Sequence, residues 1–430
     1  MKVAYVAAGA AGAYCGACAR DTAVVRGLRA RGHDVEFIAL YTPLRADRMP
    51  KGKCPIFFGG INVYLQQRIG LFRHTPALMD RIFDSAWLLD FVEKFAIDTR
   101  PEDLGAMAVS VLRGADGRQK KELARLVRHL ARKSRPDVVN ITNSLLSAIA
   151  PAVKQAMGAR VVCNLQGEDV FVERLGSPWA EEAIRLIRRN AEAVDVFVAP
   201  SDGYADAMTS FLGVPRERIR VIRPGIDTAL YAPRIERPAE PFQIGYLSRI
   251  AASKGIDLLC DAFQLMEAER PGASRLDVAG EAVGADAEMW RTKQQQLRDA
   301  GLGERFRYVG APDLEGKVAF LHGLSVFSVP SRLVERQSVA VLEAMATGCP
   351  VVLPNQGIER EILALTSGGI AVRPGDAGEL TLALTHLRDN PAERALLGRN
   401  AAEGIARHFS ETAMVDATAN LYESLTPFRP

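Results

Sequence analysis

The sequence predicts an α/β protein of two Rossmann-like halves, and three observations carry the prediction. Short apolar strands alternate with helical patterns along most of the 430 residues. A strand–loop–helix opening occurs at Lys2 and again at Phe242. A polar, proline-rich stretch, Ala232-Pro233-Arg234-Ile235-Glu236-Arg237-Pro238-Ala239-Glu240-Pro241, lies between the halves as a linker would.

The first half opens with an apolar strand over 3–7, a loop holding Gly9, Gly12 and Gly16, a helix over 22–29, a turn at Gly32-His33-Asp34 and a strand over 35–40. The glycine spacing is not the G-x-G-x-x-G of dinucleotide enzymes. Residues 2–19 mimic a secretory leader, but the three glycines and the following Arg20-Asp21 fit a strand–loop–helix unit better. A short strand over 61–65 and a mostly helical stretch over 75–96 belong to a helical insert at about 60–135, which either shapes a binding site or only adds core. That insert ends in a basic amphipathic helix, Lys120 to Arg135, with Leu123, Leu126, Val127 and Leu130 on one face. Contact with an anionic membrane is one reading of it; a surface helix with long side chains folded along it is the other. Strands over 138–141 and 160–163 follow, the second leading to Gln166-Gly167-Glu168-Asp169.

The second half runs strand 243–247, a loop with Arg249 and Lys254, helix 256–266, strand 274–279, helix 288–300, strand 306–309, helix 317–323 and strand 326–329. A loop over 330–334 then feeds a helix over 339–346, which stops at Gly348 and Pro350 before a strand over 351–353. A final helix spans about 410–425. The expected domains are 1–225 and 226–409, followed by a last segment over 410–430.

Composition narrows the function. With 54 basic and 51 acidic residues the net charge is +3, so nothing global argues for nucleic acid or a strongly anionic partner, and no nucleic acid is expected. Six cysteines in so long a chain make no disulfide framework; Cys54, Cys163, Cys260 and Cys349 are isolated, and the last three sit in apolar runs as buried thiols would. Cys15-Gly16-Ala17-Cys18 is a C-x-x-C without matching histidines, so small residues at a crowded helix start explain it better than zinc. No apolar run is long enough to span a bilayer, and a cytoplasmic protein is expected, peripheral at the inner membrane face if the basic helix meets lipid.

The chemistry centres on Glu335 and Glu343, eight residues apart. Glu335 lies in a loop entering a helix N-terminus, where backbone N–H groups favour an anion. Glu343 lies on the helix about two turns deeper. A phosphate joined to a polyol requires such a set: N–H donors for the anion, carboxylates to accept from hydroxyls.

This pattern, with Glu343-Ala344-Met345-Ala346-Thr347-Gly348-Cys349-Pro350-Val351-Val352 behind it, resembles the Glu-x7-Glu signature of retaining GT-B glycosyltransferases, family 4 in particular. Gly225-Ile226-Asp227 and Tyr231-Ala232-Pro233 also resemble that family's interdomain connection. The resemblance implies two domains facing a cleft, with the last helix crossing back to the first. It implies that Glu335 contacts the donor sugar and Glu343 the ribose, and that Arg249 and Lys254, in S-R-x4-K-G, hold the diphosphate of a nucleotide-sugar donor. Gly310 would meet the base, Gly12 the diphosphate, and Gln337, Ser338 and Val339 the donor. Gln166, Glu168 and Asp169 are acceptor-side candidates.

Two departures stand out. Gln166 replaces the family's usual His, and an amide is no general base. Arg336-Gln337-Ser338 replaces a common Gly-Phe-Gly, so the sugar is not readable. No Asp-x-Asp is present, which favours metal-independent transfer with no cofactor. The expected reaction moves a hexose-type sugar to an unidentified hydroxyl acceptor. A sugar-nucleotide epimerase-like enzyme and a non-catalytic nucleotide-sugar-binding protein remain open alternatives.

Overall fold

The computed structural model describes residues 1–8, 16–40, 101–234 and 240–426. Two compact units emerge: Met1–Arg223 with Met414–Pro430, and Pro224–Ala413. The boundary falls before Gly225 because the next residues are held inside the second unit. Ile226 N–H donates to Phe409 O at 2.9 Å, and Glu411 N–H to Ile226 O at 2.8 Å.

In the first unit the strands are β1 (Lys2–Ala7), β2 (Asp34–Ala39), β3 (Val138–Ile141), β4 (Arg160–Asn164), β5 (Val196–Ala199) and β6 (Ile219–Val221). They form one parallel sheet in the order β2-β1-β3-β4-β5-β6. Period-two alternation sorts β1 onto two cores. Val3, Tyr5 and Ala7 pack with Val24, Val25 and Leu28 of helix α1 (Gly16–Ala30), whereas Ala4 and Val6 face a core with Ile149, Leu186 and Met208. Helix α1 begins at Gly16, not at Thr22 as the glycine-rich reading suggested; Arg20, Asp21, Val24, Val25 and Leu28 give it a buried face that needs the extra turn.

Helix α2 (Pro101–Leu112) and helix α3 (Lys120–His129), the latter continued by a π-helical turn over Leu130–Ser134, complete the described part of the insert. Val109, Leu112, Leu123, Leu126 and Leu130 are buried in the first unit's core. The apolar face that a lipid-lying helix would bury in a membrane is therefore covered by the protein itself. The expected strand over 61–65 and helix over 75–96 lie outside the described residues, as does Cys54. Helices α4 (Ile149–Met157), α5 (Glu168–Arg174), α6 (Trp179–Ala191) and α7 (Asp202–Leu212) complete the crossovers.

The second unit repeats the scheme with β7 (Phe242–Leu247), β8 (Ser274–Ala279), β9 (Phe306–Tyr308), β10 (Val326–Phe327), β11 (Val351–Pro354) and β12 (Gly369–Val372), in the order β12-β11-β10-β7-β8-β9. Its helices are α8 (Ile256–Glu269), α9 (Ala285–Asp299), α10 (Leu314–His322), α11 (Val339–Ala346), α12 (Gly357–Thr366), α13 (Ala377–Asp389) and α14 (Pro391–His408). β7, β10 and β11 are largely apolar and buried, as parallel strands covered on both faces should be, whereas β8 carries Arg275 and Asp277 and the edge strand β9 carries Arg307. The last helix, α15 (Glu411–Leu425), joins the first unit from Met414 onward; Val415 packs in the core with α1, and Tyr422 OH donates to Asn140 Oδ1 at 2.9 Å. No described helix is long and apolar enough to cross a membrane.

Candidate active site

In the second unit the strand order reverses between β7 and β10. Open α/β sheets bind ligands outside the carboxyl ends of the strands at such a point. Two loops leave there. One follows β7 through Arg249 and closes in a 3₁₀ turn, Ala252–Lys254, before α8. The other follows β10 and runs through Pro330 and Glu335 into α11.

Backbone fit holds the loops together. Gly255 has φ +73°, and a Cβ there would lie 1.9 Å from the Pro330 carbonyl oxygen. Gly357, at the start of α12 with φ +53°, also packs against the Glu335 loop: its Cβ would lie 2.6 Å from the Glu335 carbonyl oxygen. Arg332 N–H donates to Ser253 O at 2.9 Å, and its guanidinium grips both oxygens of Asp257 at 2.7 Å. Burial works to raise the Asp257 pKa, but the Arg332 hydrogen bonds and charge prevail and hold it below its ordinary value.

In that frame Lys254 Nζ donates to Glu335 Oε1 at 2.5 Å, and Ser331 Oγ donates to the same oxygen at 2.7 Å. The two charged side chains keep 20% and 16% of their exposure, so a ligand can still reach them. Arg249 is exposed on the β7 loop. Gln337, Ser338 and Val339 are half-buried. Ser338 takes left-handed backbone, φ 43° and ψ 48°, and its side chain does not cap α11. Val341 and Leu342 N–H reach Ser338 O, at 3.0 and 3.2 Å. The amides of Val339 and Ala340, ahead of them, lie at the electropositive helix start.

Glu343 is placed differently. It is only 4% exposed, and its Oε1 accepts from Lys317 Nζ at 2.5 Å and from Tyr231 OH at 2.7 Å. Gly310 has φ +70° and accepts at its carbonyl from Gly280 N–H at 2.7 Å. β9 ends at Tyr308, short of the expected 309, and Val309 is exposed. One more carboxyl borders the loops. Glu359, in the first turn of α12, accepts from Ser338 Oγ at 3.1 Å; burial first, and the Glu335 charge next, push its pKa well above the usual carboxylate value.

In the first unit, Gln166 Nε2 donates to Thr142 O and Oγ1 at 2.8 and 2.9 Å. Glu168 is buried and accepts from Ser144 N–H at 2.7 Å and Gln166 N–H at 2.6 Å, joining the loops after β3 and β4. Burial raises its pKa against those hydrogen bonds. Asp169 accepts from Tyr204 OH at 2.7 Å. Gly12 and Cys15 lie outside the described residues, whereas Cys18 is in α1.

The comparisons follow the two units. The family model "Glycosyl transferase 4-like domain" matches residues 16–225, and "Glycosyl transferases group 1" matches 228–404. The crystal structure of Anabaena Alr3699/HepE in complex with UDP covers 99% of this chain and 100% of its own, with a TM-score of 0.69 at 17% identity. The chain belongs to the GT-B glycosyltransferases. Among curated relatives of this glycosyltransferase, glycogen synthase of Mycobacterium tuberculosis is 27% identical over 300 residues, 68% of this chain and 69% of that protein. D-inositol 3-phosphate glycosyltransferase 1 of Catenulispora acidiphila is 29% identical over 306 residues, 67% and 72% of the two chains.

The structure of the glycosyltransferase thus brings Lys254 and Glu335 into contact and sets Glu343 apart. Four residues at these positions escaped the sequence reading: Tyr231, Lys317, Ser331 and Glu359. Lys317 left one trace, a lysine within the apolar run of α10. Tyr231 and Glu359 are ordinary residues whose partners lie 112 and 21 residues away, and Ser331, four residues from Glu335, is an ordinary loop serine.

Proposed function

We propose that the protein is a retaining glycosyltransferase of the family 4 type. It moves a hexose-type sugar from a nucleotide diphosphate sugar to a hydroxyl acceptor and needs no metal. The observation that carries this reading is the meeting of Lys254 and Glu335 beside the open start of α11, at the switch point of the second sheet. Relatives named as glycosyltransferases and a structural neighbour bound to UDP support it.

In this reading the leaving diphosphate gains charge as the bond to the sugar breaks. Lys254 uses one of its three N–H donors on Glu335 and offers the rest to phosphate oxygens. Arg249 adds a fork of donors, and the first amides of α11 add a positive dipole end. Fixed donors of this kind stabilise charge that develops in the transition state. Glu335, held by Lys254 and Ser331, accepts from a sugar hydroxyl, and Glu343 reads the ribose. No carboxylate is assigned as nucleophile, so the acceptor attacks on the face that the diphosphate leaves.

A thermal-shift panel of UDP-, GDP- and ADP-sugars, followed by assay of nucleotide release on adding hydroxyl acceptors, tests the proposal. Stabilisation by at least one donor and acceptor-dependent transfer are expected, with activity surviving EDTA. Binding without transfer to any acceptor would favour a non-catalytic protein. Loss in EDTA reversed by Mg²⁺ would overturn metal independence.

A further inference from the structure

Glu359 is only 1% exposed, and while its Oε1 accepts from Ser338, its Oε2 has no hydrogen-bond partner. A buried polar oxygen without a partner is costly and uncommon. It persists here at a particular place. The carboxyl borders Ser338 at the entry of α11, and the backbone just before it touches the Glu335 loop: Ile358 N–H donates to Glu335 O at 3.2 Å. Glu335 and Lys254 lie close enough for their charges to act on it.

The hydrogen-bonding balance at this spot is uneven. A sugar presents several hydroxyls. Glu335 Oε1 already takes both the Lys254 ammonium and the Ser331 hydroxyl. One lysine faces two carboxyl groups, so the second is favoured in its neutral form, able both to donate and to accept.

We propose that Glu359 is a donor-specificity residue, its Oε2, enclosed in this structure, bonding one hydroxyl of the transferred sugar once donor entry opens the adjoining Glu335 loop. The inference rests on the nucleotide-sugar reading above. It also explains how a serine in left-handed backbone occupies position 338: the same carboxyl anchors Ser338 through Oε1 and leaves Oε2 for the ligand.

The test uses calorimetry on the full chain with UDP-glucose, GDP-mannose and ADP-glucose and the corresponding free diphosphates. If wild type binds none of them, the donor reading fails and this inference fails with it. Where wild type binds, Glu359→Ala is expected to weaken the nucleotide sugar about tenfold, as loss of one hydrogen bond to a buried group does. Affinity for the free diphosphate should stay within about twofold, and Glu359→Gln, which copies the neutral acid, should stay near wild type. Glu359→Met, apolar and of similar length, replaces the alanine variant should that one not fold. For the bound sugar, the deoxy donor lacking the bonded hydroxyl should lose affinity for wild type but not for the alanine or methionine variant.

The rival role is a structural one, in which Glu359 does no more than hold Ser338. It predicts that the effect of Glu359→Ala vanishes in a Ser338→Gly background, where the backbone needs no anchor. Vanishing there, equal losses for diphosphate and donor, no loss at all, or an unchanged response to every deoxy donor would each overturn the proposal.

Discussion

Among its described residues the second unit holds two glutamate–lysine pairs of the same length in contrasting surroundings. Lys254 and Glu335 meet at 2.5 Å with side chains 20% and 16% exposed. Lys317 and Glu343 also meet at 2.5 Å, but at 10% and 6%. The first pair joins two loops at the carboxyl ends of the central strands β7 and β10. The second joins two helices, with Tyr231 as a further donor and the Lys317 ammonium 5.5 Å from that ring. An identical contact leaves an open charge in one setting and a nearly enclosed one in the other, and solvent decides what its loss costs. A part-exposed pair adds little to stability, whereas removing one member of a buried pair strands a charge.

That contrast can be broken most sharply through the lysines. Lys317→Ala should destabilise the second unit by about 3 kcal/mol, while Lys254→Ala should cost under about 1 kcal/mol. Denaturant melts of the two variants, compared at one pH, measure the difference. Equal losses would show that burial does not separate the pairs.

Activity should sort the same residues in reverse. Lys254→Ala and Arg249→Ala are each expected to lower turnover about 100-fold or more, because each removes a donor for charge that develops in the transition state. The melting temperature of Arg249→Ala should barely move, since that side chain is exposed. Near-wild-type rates in both variants would remove the loop pair from the chemistry.

The glutamates sharpen the comparison next. Glu343→Gln should weaken binding of the free nucleotide diphosphate by roughly 10- to 150-fold, the cost of a charged acceptor lost from a buried hydroxyl contact. Glu335→Gln should spare that affinity and lower transfer. Calorimetry with nucleotide alone, then steady-state rates with donor, separates the two; equal nucleotide affinities would end the division between helix and loop.

The smallest expected effect is one of pH. Glu359 has its folded pKa raised by burial and by Glu335, with Lys254 opposing. A raised carboxyl stabilises the fold fully below its unfolded value, near 4.5, and that contribution is lost as pH rises through the folded value. Glu359→Gln should therefore gain melting temperature relative to wild type between pH 4 and pH 8. A constant difference across that range would mean that Glu359 ionises as an ordinary surface carboxylate does.

Much of this was legible in the chain. The helix over 339–346 and the strands over 138–141 and 274–279 match their expected limits, because apolar periodicity and flanking turn residues are local signals. Glycine misled at α1, where Gly16 opens a helix that the sequence reading placed later. Glu335, Lys254 and Arg249 were singled out by spacing and resemblance, and the structure brings the first two into contact. Lys317 and Tyr231, which hold Glu343, were not, since they lie 26 and 112 residues away from it.

The amino-acid order by itself settled the alternation of strands and helices and the two halves, and it singled out candidate residues to meet an anion, because each depends on neighbours within a few turns. Only the tertiary structure decided what those residues do for one another. It placed Glu335 beside Lys254, enclosed Glu343 with Lys317, tied Glu168 to the backbone of Ser144 and Gln166, and buried Glu359 with one oxygen unused. Burial and cross-chain pairing set the charge state and reach of a carboxyl, and both arise only when distant strands come together.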